Sequence, residues 1–215
     1  MTDPSPTSAP EPRWPALIAV IASVGLYTAL PPQLVVGPRW LQPSVIAALT
    51  IPALIALYRG SHRMNTILGY FTDGAITLFM LWSLVLLVRA LPSHKEKPIL
   101  LLRSAVALWI TNVLVFALWY WRIDAGGPHL RHKRSPDHPS AFLFPQMTLP
   151  DDSADAATWS PIFIDYLFLA FNTSAAFSPT DTPVLSHWAK ALTMAQASIS
   201  LTVVAVLAAR AVNIL

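Results

Sequence analysis

Apolar residues fall along this chain in blocks rather than in stripes, and the blocks end at prolines or at Lys and Arg. A hydrocarbon core of roughly 30 Å needs about 20 residues of helix, so blocks of this kind predict membrane-embedded helices rather than one-sided soluble ones. They lie at about 14–30, 43–58, 64–91, 98–121 and 182–213. The first closes on Pro31-Pro32, and the second holds Pro52 and reads as a kinked span. Pro92 and the polar run Ser93-His94-Lys95-Glu96-Lys97 part the third from the fourth. The fourth ends on Trp119-Tyr120-Trp121 and Arg122, the pattern of a helix leaving a bilayer through its interface.

Between the fourth and fifth blocks the pattern changes twice. Residues 122–158 mix basic and acidic patches around Gly126-Gly127 and predict a long aqueous loop. Residues 160–177 open on Ser160-Pro161, a helix-start pair, and stay apolar to Phe171 before Asn172-Thr173-Ser174. A helix this short reaches about half-way through the core, which predicts a re-entrant segment. Ser178-Pro179-Thr180-Asp181, or Thr182-Pro183, then supplies a start for the last helix. The expected fold is all-α: a polytopic membrane helical bundle of about five spans plus a short re-entrant helix, one domain over 14–215 behind a Pro-rich disordered tail, 1–13. The acidic start of the tail is unlike a secretory signal, so the first block is expected to persist as a span.

Composition strengthens the membrane reading: 54% of the residues are hydrophobic and 12% charged, with a mean hydropathy of +0.53. The net charge of +3 comes from Lys and Arg at block ends, where they meet lipid phosphates. No contiguous basic face suits nucleic acid, so membrane lipids are the expected partners. With no cysteine, thiolate metal sites and thiol nucleophiles are excluded. Lys and Arg divide almost evenly between the two sides, with a slight lean toward a cytoplasmic N-terminus.

Candidate chemistry concentrates near the C-terminus. Ala191, Ala195, Ser198, Thr202, Ala205 and Ala209 form a stripe of small residues on the last helix, a packing seam either within the monomer or in a homo-oligomer. Thr193, Gln196 and Ser200 lie on a neighbouring face and, with Asn172, Thr173, Ser174 and Ser178, are the candidate pore-lining residues. The run DYLFLAFNTSAAFSPTDTPVLSHWAKALTMAQ, Asp165 to Gln196, is similar in layout to the pore helix, filter and inner helix of potassium channels. It departs from them in the filter, because Thr173 to Pro179 contains no glycine to turn successive carbonyls toward an axis. NVLVFALWYWRIDAGGP, Asn112 to Pro128, and AFNTSAAFSPTDTPVLSHWAKALTMAQ with the ending AARAVNIL resemble a family of bacterial integral membrane proteins without an assigned activity. That resemblance implies a multi-pass protein of the bacterial inner membrane and carries no catalytic residues across.

Elsewhere, Asp73 is an acid well inside a block, where an ionisable group is a functional candidate by default; a partly wet position near a basic loop competes with that reading. Asn112 is expected to hydrogen-bond another helix, Asp165 to complement the dipole of the short helix, and Arg210 to snorkel to phosphate. His129, His132 and His138 beside Asp137 fit no tight ligand template and sit among Arg131, Lys133 and Arg134, so no metal and no cofactor is expected. No phosphate loop, zinc helix or nucleophile elbow is present, and no enzyme is expected. Three readings stand: a pore, for which the C-terminal layout speaks; a scaffold or partner-binding bundle; and, behind both, an intramembrane enzyme with a cavity converging on Asp73, Asn112 and Asp165.

Overall fold

The computed structural model describes residues 11–90, 98–131, 139–149, 159–178 and 181–212. Its helices are α1 (Trp14–Thr28), α2 (Leu41–Tyr58), α3 (His62–Ala90), α4 (Pro98–Ile123), α5 (Phe163–Ala176) and α6 (His187–Val212). Among the described residues the β structure is one isolated antiparallel bridge, Phe142 with Val184. Four stretches, Leu41–Tyr58, His62–Ala90, Ile99–Gly126 and His187–Ala209, are long and apolar enough to cross a membrane, while α1, at 15 residues, is a shorter apolar helix. The chain is thus a polytopic membrane helical protein.

Polarity is arranged for lipid. Ile18, Ile51, Leu78, Trp82, Met194 and Leu201 face outward, whereas Ser23, Gln42, Asp73, Asn112, Gln196 and Ser200 are buried. In a bilayer the interior gains no hydrophobic advantage over the exterior, so hydrogen bonds and close packing hold the helices together. The hub is α4, which packs against α1, α3, α5 and α6; α2 lies along α3 and touches α1 only sparingly.

Local departures from the expected boundaries have identifiable causes. The start of α5 is Phe163 rather than the Ser160-Pro161 pair, because the Asp165 carboxylate accepts a hydrogen bond from Ile162 N–H at 2.8 Å and fixes the first turn there. The expected dipole-complementing role of Asp165 takes this form. The last helix ignores Ser178-Pro179 and Thr182-Pro183: residues 183–185 run beside 141–143, with Leu143 N–H donating to Pro183 O at 2.9 Å and Leu185 N–H to Ala141 O at 2.8 Å. Ser186 becomes the cap instead, its Oγ accepting from Ala189 N–H at 3.3 Å.

The segment after α4 is not wholly aqueous, because Phe142, buried edge-on against Tyr120, Tyr166 and Trp188, closes the end of the bundle between α4, α5 and α6. Nor is the tail free throughout 1–13. Glu11 is buried against the α4 end and Arg13 Nη1 donates to Asn65 Oδ1 at 3.0 Å, while residues 1–10 lie outside the described residues. Also outside them are His132, Asp137, His138 and the side chain of Arg210. His129 stacks on His62 at 3.6 Å between ring centroids.

Candidate functional site

Three buried polar regions emerge, all touching α4. In the first, α5 ends beside the middle of α4 and α6, and its terminal polar groups are met from both sides. Gln196 Nε2 donates to Ala170 O at 2.7 Å and to Ser174 Oγ at 2.8 Å, and its Oε1 accepts from Tyr120 OH at 2.5 Å. Ser200 Oγ donates to Ser174 O at 2.6 Å, which satisfies one of the last carbonyls of α5, and accepts from Trp109 Nε1 at 3.0 Å. Asn112 Nδ2 reaches Ser174 Oγ and Gln196 O, both at 3.3 Å, and its Oδ1 is buried without a hydrogen bond among the described residues. Trp109, Asn112 and Tyr120 share a face of α4 because they are spaced by roughly whole turns.

The second region locks the end of the bundle. Arg131 Nη1 donates to Glu11 Oε2 at 2.8 Å and to Pro161 O at 3.1 Å, its Nη2 bonds Trp121 O, and its guanidinium lies over the Tyr166 ring at 4.7 Å. Trp121 Nε1 donates to the other Glu11 oxygen at 2.6 Å. Burial pushes the Glu11 carboxyl above its ordinary range, against the pull of the Arg131 guanidinium and the Trp121 N–H. Asp124 accepts from Ala141 N–H and from Tyr166 OH, each at 2.6 Å, which ties the loop to α5.

The third region contains the intramembrane acid. Asp73 is fully buried, about 16 Å along α3 from His62. It is not partly wet. Arg122 Nε donates to its Oδ2 at 2.6 Å, with Nη2 at 3.4 Å from Oδ1. Gly69, one turn before Asp73, is what lets the guanidinium cross α3: a Cβ at that position would collide with Arg122 Nη1. Arg122, Arg13, Thr50, Asn65 and Thr72 border a cavity of about 70 Å³ between α1 and α2.

The structure therefore brings Ser174, Gln196 and Ser200 together in one sealed network. Thr173 Oγ1 bonds its own helix at Leu169 O (2.8 Å), and Thr193 Oγ1 bonds Lys190 O (2.9 Å). Asn172 is half-buried and Ser178 is exposed beyond the end of α5. Among the described residues Asp73, Asn112 and Asp165 belong to separate hydrogen-bonded groups. Among the described residues no group of three or more His, Cys, Asp or Glu is placed to hold a metal. The sequence reading missed Arg122 as the partner of Asp73, and Tyr120 and Trp109 as partners of Gln196 and Ser200; the signals available were Gly69 four residues before the acid and the helical spacing of 109, 112 and 120. No family model matches the chain, and neither the curated proteins nor the solved structures contain a match.

Proposed function

We propose that this chain is a non-catalytic membrane scaffold that assembles with further copies of itself through α6. The observation that carries this is the direction of the small-residue stripe. Ala191, Ala195, Ser198, Thr202, Ala205 and Ala209 are all exposed, while Thr193, Gln196 and Ser200 on the same helix are buried. Small residues allow two backbones to approach closely in lipid, where dispersion and close packing drive association. The hydroxyls of Ser198 and Thr202 donate within α6, to Met194 O at 2.8 Å and Ser198 O at 2.9 Å, so the stripe presents a smooth surface. Because the chain has no cysteine, single cysteines report cleanly. Ala195→Cys and Ser198→Cys are expected to cross-link in native-like bilayers, Leu78→Cys on the outer face of α3 is not, and Ala195→Leu is expected to disperse the assembly in single-molecule counting. Monomers in the bilayer with uniform, weak cross-linking at all three positions would end this reading.

A pore is the second reading, favoured by one feature. The starts of α5 and α6 lie at the same end of the bundle, with the end of α5 against the middle of α6, the layout of a half-helix followed by a full one. With Ser174, Gln196 and Ser200 engaged in hydrogen bonds, a conducting path would run between chains. Ion flux into liposomes that Ser198→Trp abolishes without changing oligomeric state would support it; absence of flux under cation and anion gradients would remove it.

A further inference from the structure

The cleft between α1 and α2 carries more positive charge than its own walls neutralise. Two arginines, Arg13 and Arg122, border its cavity of about 70 Å³, room for a few waters or one small anionic group. Asp73 answers one of them. Arg13 makes its one hydrogen bond among the described residues to the neutral amide of Asn65, and the neighbouring carboxylate that attracts it, Glu11, is shared with Arg131 and Trp121. Arg122 turns Nη1 over Gly69, away from the carboxylate, where it makes no hydrogen bond among the described residues. Thr50 lines the same cleft, with its Oγ1 buried and without a hydrogen bond among the described residues.

The remaining walls are apolar. Leu17 of α1 faces Leu54 and Leu57 of α2 across the gap, and the sparse contact between these two helices leaves the cleft open toward lipid. It sits where α1 begins and α2 and α4 end, near the exposed aromatics Trp14 and Tyr58, residue types that favour the headgroup level. Guanidinium groups with donors to spare, beside leucines in a cleft open toward lipid, describe the complement of an amphiphile.

We propose that this cleft binds the phosphate headgroup of an anionic membrane lipid, with Arg13 and Arg122 Nη1 donating to the phosphate and an acyl chain lying along Leu17, Leu54 and Leu57. Guanidinium presents paired donors to phosphate oxygens and holds its charge at any working pH. This site is independent of the α6 seam, and failure of either leaves the other standing.

The test uses the purified full chain in detergent, with three probes: dioctanoyl phosphatidic acid, dioctanoyl phosphatidylcholine and inorganic phosphate. Phosphatidic acid at saturating concentration is expected to raise Tm by about 5 °C and to remain bound in native mass spectrometry, while the other two do neither. Arg13→Gln, at a half-exposed position, is expected to leave the ligand-free Tm in place and weaken phosphatidic acid binding about tenfold, the loss of one charge-assisted hydrogen bond, with partial rescue by Arg13→Lys. Leu54→Trp, which fills the cleft without touching an arginine, is expected to weaken it as well. Equal shifts from phosphatidylcholine would overturn the headgroup, and equal shifts from inorganic phosphate would overturn the lipid in favour of a free anion. Binding unchanged in both Arg13→Gln and Leu54→Trp would overturn the site.

Discussion

The polar interior on the α4–α5–α6 side is built from neutral side chains and that on the α1–α2–α3 side from charged ones, and they close differently. Around Gln196 the donors are turned onto acceptors supplied by a neighbouring helix, and the bonds knit α5 into the bundle. Around Arg122 the acid is buried and paired, but Nη1 and the nearby Arg13 remain directed at a cleft. A polar network whose donors are met within the same chain fixes architecture. Surplus donors beside a cavity do not improve the fold, which is why the α1–α2–α3 side, not the α4–α5–α6 side, carries the proposed binding site.

Reversible unfolding in mixed micelles can break or sharpen this contrast. The largest effect is expected for Asp73→Asn, which strands the Arg122 guanidinium among helices and should cost about 3–5 kcal/mol. A smaller loss would mean that Arg122 finds another anion through the cleft, and added phosphatidic acid would then restore stability to the variant. Gln196→Met keeps the volume but leaves Tyr120 OH and Ser174 Oγ with fewer partners, for an expected loss of about 1–3 kcal/mol. Ser200→Ala removes a hydroxyl that bridges Trp109 and Ser174 O, and about 1 kcal/mol is expected from measured hydrogen bonds between membrane helices. If Ser200→Ala proved as costly as Asp73→Asn, the distinction between the two regions would fall.

Much of the bundle was legible because the apolar blocks are long and punctuated: α3 and α4 appear within two residues of their expected ends. The start of α6 was not, since the cap-and-proline pairs at Ser178 and Thr182 are local signals and the pairing of 183–185 with 141–143 is a long-range one. The candidate residues were legible as polar positions on α5 and α6. Their direction was not, because a hydroxyl or amide looks the same in sequence whether it meets water or another helix. Asp73 stood out in an apolar block; Arg122 hid among interfacial aromatics, where a basic residue has an ordinary reason to be, and only the notch at Gly69 lets it reach inward. Glu11 lay in a tail whose composition is that of disorder, but Arg131 and Trp121 give its carboxylate two donors that order it.

The ion pair of α3 and α4 also constrains how the protein is made. Asp73 leaves the ribosome 49 residues ahead of the arginine that neutralises it, so α3 on its own would present lipid with an isolated acid. Entry of α3 and α4 as a hairpin, acid and base already joined, would spare lipid that charge.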